Sequence, residues 1–150
     1  MPQSLAKVLI HIIFSTKYRA PLLARSIRPA LHAYLASIVR NMQCECYRTG
    51  GVSDHVHLAI RLSRMVTIAD LVEEVKSSSS KWLKTQSPDL EGFRWQRGYG
   101  VFSVNSKGLD DLCNYIENQE EHHRKRGYQD EYRETLSKDG VEYDERYVWD

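Results

Sequence analysis

Apolar residues in this chain switch between the alternating period of a strand and the 3.6-residue period of a helix, in the order β-α-β-β-α-β. Leu5–Ser15 is rich in β-branched and apolar side chains, contains no Gly or Pro, and is followed by a break at Pro21. Ile27, Leu31, Tyr34, Leu35, Ile38 and Val39 give helical spacing over Ile27–Met42. Cys44–Thr49 and Asp54–Leu62 read as strands flanking a turn or bulge at Gly50-Gly51, with Val56, Leu58 and Ile60 on one face. Thr67-Ile-Ala-Asp70 opens a second helix that runs to about Leu83. Gly100–Asn105 supplies the last strand. Asn105 or Ser106 caps a helix from Leu109 to about Arg126, where Gly127 stops it, and a shorter helix is expected over Glu131–Lys138.

This order predicts an α+β fold: a ferredoxin-like antiparallel sheet with helices on one face, plus an added C-terminal helix. At 150 residues and 41% hydrophobic, the chain fits one domain. Residues 1–127 are expected to form the working domain, and residues 128–150 an acidic C-terminal extension of it. The longest apolar run, Val8 to Phe14, is interrupted by His11 and is too short to cross a bilayer. No signal-peptide pattern opens the sequence, and Cys44, Cys46 and Cys113 show no CxxC spacing. A reduced, cytoplasmic setting is therefore expected. The net charge of +1 is unevenly spread: residues 1–87 carry 12 Lys/Arg and 5 Asp/Glu, and residues 88–150 carry 9 and 15. A basic front half suits a polyanion.

Two short motifs carry the chemistry. On the strand Asp54-His55-Val56-His57-Leu58, His55 and His57 share a face, while Val56 and Leu58 turn to the core. Paired imidazoles suit a metal ion. Asp54 points to the face opposite His55, which counts against it as a ligand. In Tyr115-Ile-Glu-Asn-Gln119, helical spacing puts Tyr115 and Gln119 on one side, with His122 one turn further. Phosphodiester transfer needs a nucleophile and a Lewis acid. Tyr115 can supply the first. His55, His57 and Gln119, all neutral, can hold an ion that keeps its charge for phosphate oxygens.

These residues resemble the small single-tyrosine transposases of the HUH class, in which U is hydrophobic, and their REP-associated relatives. His55-Val56-His57 matches the histidine motif, and Tyr115 with Gln119 matches the helical tyrosine and glutamine. His11–Arg19 and Trp95–Ser103 are similar to the family's first strand and to the segment before its tyrosine helix. The resemblance covers roughly residues 5–126. It implies an RRM-like core, Mg²⁺ or Mn²⁺ as cofactor, and single-stranded DNA with hairpins near element ends as substrate. It also implies cleavage and strand transfer through a covalent 5′-phosphotyrosine. A homodimer is implied too, with active sites shared between subunits.

Phosphate contacts are expected from Lys17, Arg19, Arg61, Arg64, Lys76, Lys81 and Lys84, and Ser77–Ser80 form either a close-approach surface for DNA or a polar helix face. Tyr143, Tyr147 and Trp149 are expected to dock on the domain rather than stack on bases. Two rival readings are a domesticated, non-catalytic hairpin-binding protein on this fold and a metal-dependent hydrolase. An inert relative should have lost one of the four site residues, and all four are present. A hydrolase leaves Tyr115 and Gln119 without a role.

Overall fold

The computed structural model describes residues 2–150. Four strands, β1 (Val8–Ser15), β2 (Glu45–Gly51), β3 (His55–Leu62) and β4 (Gly100–Val104), form one sheet in the order β2-β3-β1-β4. All three pairings are antiparallel. Helices α1 (Arg28–Asn41) and α2 (Ile68–Lys84) cover one face. There Leu31, Leu35, Val39, Leu71, Val75 and Leu83 meet Ile10, Ile12, Phe14, Val56, Leu58 and Ile60 in the main core. The strand period thus sorts β1 and β3 as expected, with even-numbered residues in this core. Thr67 caps α2 by accepting a hydrogen bond from the Asp70 amide, 3.0 Å away.

The second face is covered by the C-terminal part of the chain. The helix expected from Leu109 to Arg126 is broken at Asn118, which leaves α3 (Leu109–Glu117) and a short α4 (Gln119–His122). Helix α5 (Tyr128–Lys138) then packs Tyr128, Tyr132 and Leu136 on Ile13 and Phe102. The segment from Val141 onward docks as expected for Trp149, whose ring lies 5.9 Å from that of Tyr132, while Tyr143 and Tyr147 stay exposed. The carbonyl of Asp150 accepts a hydrogen bond from the Gly98 amide at 2.7 Å. Among the described residues no helix is long and apolar enough to cross a membrane.

Three local expectations need correction. The turn or bulge expected at Gly50-Gly51 is neither: both lie inside β2 in regular pairing, and the irregularity of that ladder falls between Cys46 and Arg48. Gly50 pairs with His57 across the ladder, and a Cβ on it would sit 2.7 Å from both the side chain and the carbonyl oxygen of Ile116. Its bare backbone is what lets α3 lie close over the strand. Ser79 is fully buried, donating to the Val75 carbonyl at 2.6 Å and accepting from the Trp95 indole at 2.9 Å, so it belongs to the core and not to a DNA surface. Lys76 is also committed internally. Its ammonium donates to the carbonyls of Gln96, Arg97 and Gly98 at 2.8, 3.1 and 2.5 Å, and with all three protons in use it is withdrawn as a phosphate contact.

Candidate active site

The odd-numbered face of the sheet holds the site. His55 and His57 project from β3, both fully buried. Close approach of α3 over Gly50 brings Tyr115 and Gln119 onto them. The Gln119 Oε1 lies 3.0 Å from His55 Nε2, and the Tyr115 ring meets the His57 ring edge-on at 5.8 Å. One chain therefore assembles all four residues singled out in the sequence, using its own α3 and α4.

Four further residues complete the cluster, and none was singled out as a site residue from sequence. Glu131, on α5, is 1% exposed. Its Oε1 lies 3.1 Å from His57 Nε2 and 3.4 Å from His55 Nε2. Its Oε2 accepts a hydrogen bond from the Tyr115 hydroxyl and lies 3.1 Å from His123 Nε2. His123 also lies 3.1 Å from Gln119 Oε1. The break at Asn118 directs His123 into the site, whereas His122 stacks on the Tyr115 ring at 4.5 Å. His11 contacts His57 Nδ1 through its Nε2 at 2.8 Å. Asp54 is turned away from the ligand side, as expected, but its Oδ1 lies 2.7 Å from His55 Nδ1 and orients that ring from behind. Only β1 pairing could have flagged His11, and only the return of α5 brings in Glu131.

The electrostatics follow from burial and these contacts. Burial pulls the His55 pKa down, but the hydrogen bonds to Asp54 and Glu131 outweigh it and raise it to about 9. Both ring nitrogens are engaged, Nδ1 with Asp54 and Nε2 with Gln119 and Glu131. His57 is pushed down, chiefly by burial, and His11 falls to about 3 for the same reason, with the neighbouring His57 adding to it. For Glu131 burial raises the pKa, but hydrogen bonds with His123, His55 and His57 win and hold the carboxyl well below its ordinary range. The Tyr115 phenol is held well above its ordinary value by burial and by its bond to Glu131, so it rests protonated.

The donor set fits a divalent cation. Nitrogen and carboxylate donors of His55, His57, His123 and Glu131 all lie within 4.8 Å of one another. Beside them, Gln119 lines a cleft with Arg25, Arg28, Arg48 and Arg124, none of which was among the expected DNA contacts; each is paired with a carboxylate of the same cleft, Arg25 and Arg28 with Glu120, Arg48 with Glu117 and Arg124 with Glu121. The expected contacts do not converge here. Lys17 and Arg19 follow the end of β1 nearest His55, with Arg19 stacked over Trp149 at 5.7 Å. Arg61 donates to the Ala6 carbonyl at 2.9 Å near the far end of β3, and Arg64 is exposed beyond it. Lys81 and Lys84 are exposed on α2, on the other side of the sheet.

An antiparallel sheet with a histidine pair on its central strand, faced by a helical tyrosine and glutamine, defines the class as HUH-type DNA strand transferases. The sequence matches the family described as IS200-like transposase over residues 4–119, and the chain belongs to that family; it is a DNA transposase. A crystal structure from Deinococcus radiodurans R1, described as that of a transposase, is similar at 26% identity and a TM-score of 0.62, covering 79% of this chain and 98% of that one. A REP-associated tyrosine transposase, solved bound to a REP hairpin, shares the fold at 15% identity and a TM-score of 0.59, covering 82% of this chain and 73% of that one. A search of curated proteins finds no match.

Proposed function

We propose that this transposase cuts and rejoins single-stranded DNA beside a hairpin, with Tyr115 as nucleophile and a 5′-phosphotyrosine as intermediate. The observation that carries the reading is the convergence of Tyr115 from α3 and Gln119 from α4, on either side of the break at Asn118, onto the buried pair His55 and His57. The resemblance to a hairpin-bound REP-associated transposase supports the choice of substrate.

His55, His57 and Gln119 would hold Mg²⁺ or Mn²⁺, which when bound draws charge from the phosphate oxygens. The protein's part is positional. Asp54 fixes the His55 ring through Nδ1, and His11 supports His57 through its Nδ1. Tyr115 is half-buried, whereas Tyr128, packed 4.5 Å from His55, is only 3% exposed and out of reach of a phosphate. Its O–H bond to Glu131 keeps the phenol oxygen in place until its proton leaves. Attack forms the tyrosyl–phosphate bond and releases a 3′ hydroxyl. The stored ester then accepts a second 3′ hydroxyl, so rejoining needs no ATP. Arg25, Arg28, Arg48 and Arg124 would contact the strand's phosphates along the cleft by exchanging the surface carboxylates of Glu117, Glu120 and Glu121 for phosphate oxygens.

Each chain uses its own tyrosine in this reading. It departs from the shared active sites implied by the family resemblance, and is compatible only with a homodimer in which α3 stays on its own sheet. Cleavage of a hairpin-bearing single strand should require the divalent ion and vanish in His57→Ala. Full activity of that variant, or of wild type in excess chelator, would overturn the metal-dependent reading.

A further inference from the structure

We infer that Glu131 is the anionic ligand of the metal site, and that its second oxygen ties the nucleophile to that site. This rests on the reading of His55, His57 and Gln119 as ligands. Glu131 lies on α5, beyond residue 119 where the family match ends, so the assignment belongs to this chain's own C-terminal segment.

The donor spacing, which here also makes hydrogen bonds, is the spacing an octahedral ion requires. Donors held about 2.1 Å from an ion at adjacent octahedral positions lie about 3.0 Å from one another. His55 Nε2 to Gln119 Oε1 is 3.0 Å, His57 Nε2 to Glu131 Oε1 is 3.1 Å, and His55 Nε2 to Glu131 Oε1 is 3.4 Å. Glu131 Oε1 is therefore spaced as a neighbour of the histidine nitrogens around a common point. A carboxylate serving only to pin α3 to α5 would need contact with Tyr115 alone. Here Oε2 accepts from Tyr115 and also lies 3.1 Å from His123 Nε2, while Oε1 faces His55 and His57.

Charge argues the same way. His55 and His57 are fully buried, and a dication bound there by neutral groups only would lack compensating charge. Glu131, itself 1% exposed, supplies it. The ion should then bind before DNA arrives, rather than weakly as three neutral ligands would allow. Through Oε2 the carboxylate also fixes the distance between the Tyr115 oxygen and the ion.

The test uses the full chain and Mn²⁺ alone, without DNA, with free Mn²⁺ followed by electron paramagnetic resonance. Glu131→Gln keeps shape and hydrogen bonding and removes the charge. It should weaken Mn²⁺ binding by tenfold or more, on the order of what loss of a metal's supporting carboxylate costs. Tyr115→Phe should bind Mn²⁺ as wild type does. Unchanged affinity in Glu131→Gln overturns the assignment. A second measurement needs no variant: with His55, His57, Gln119 and Glu131 bound, an octahedral Mn²⁺ keeps two waters, and three waters by pulsed resonance would exclude Glu131. If wild type takes up no Mn²⁺ without DNA, the Glu131 assignment falls, because three neutral ligands alone bind weakly; if wild type binds it and His57→Ala binds it equally well, the metal-centre reading itself falls and Glu131 with it.

Discussion

Gly50→Ala tests how the tyrosine helix is positioned. The added Cβ would lie 2.7 Å from Ile116 Cγ2 and 2.7 Å from the Ile116 carbonyl oxygen. The side chain can rotate away, but the carbonyl belongs to the helix backbone. Ordinary contact begins near 3.4 Å, so α3 must retreat by roughly 0.7 Å. Overpacking of this kind costs about 1–3 kcal/mol. For a chain of this size that lowers Tm by about 2–10 °C. If α4, joined to α3 through Asn118, moves with it, the same retreat stretches the 3.0 Å contact between Gln119 and His55 beyond hydrogen-bonding range. A misplacement near 1 Å in a reacting group costs about a hundredfold, so cleavage should fall by roughly ten- to a hundredfold. Gly92→Ala, where a Cβ meets nothing within 4 Å, is the control. Thermal melts and single-turnover cleavage of a hairpin-bearing strand read both effects. Wild-type melting and cleavage in Gly50→Ala would refute the argument that a bare strand backbone sets the helix height.

Mixing His57→Ala with Tyr115→Phe, each inactive alone, should restore no cleavage at any ratio, because α3 serves its own sheet; recovered activity would show that the helix crosses between subunits. Ser79→Ala should lower stability by about 1–3 kcal/mol in denaturant titration, since it leaves the buried Trp95 indole unpaired, while Ser77→Ala on the exposed surface should not. Lys76→Met should destabilise the fold by a similar amount without changing the salt dependence of DNA binding, since its ammonium is bound to three carbonyls. A reduced salt slope would return Lys76 to the DNA surface.

The sheet was legible because its strands alternate. Val56, Leu58 and Ile60 on one face dictate where His55 and His57 must point, and residue spacing alone puts Tyr115 and Gln119 on one side of a helix. The cluster around them was not legible, for reasons of long-range packing. Nothing local marks Glu131 as more than one acid in an acidic segment; it enters the site only because Tyr128, Tyr132 and Leu136 fold α5 back over Ile13 and Phe102. His123 was masked by reading an unbroken helix through Asn118, which kept His122 in view instead. The glycines misled for a related reason. A Gly-Gly pair signals a turn when only the chain's own path is considered. Here it signals the close approach of an element more than sixty residues away. Charge counting marked Lys76 as a phosphate contact, yet a three-carbonyl cage cannot be seen without the loop at residues 96–98.

Mass spectrometry of the protein–DNA adduct tests the central claim most directly. A hairpin-bearing single strand, incubated with Mn²⁺ and full-length protein and then denatured and digested, should yield one peptide carrying a 5′-phosphonucleotide on Tyr115. The adduct should be absent in Tyr115→Phe and in chelator. An adduct on Tyr128 or Tyr143, or free 5′ phosphates with no adduct at the earliest times, would contradict the account.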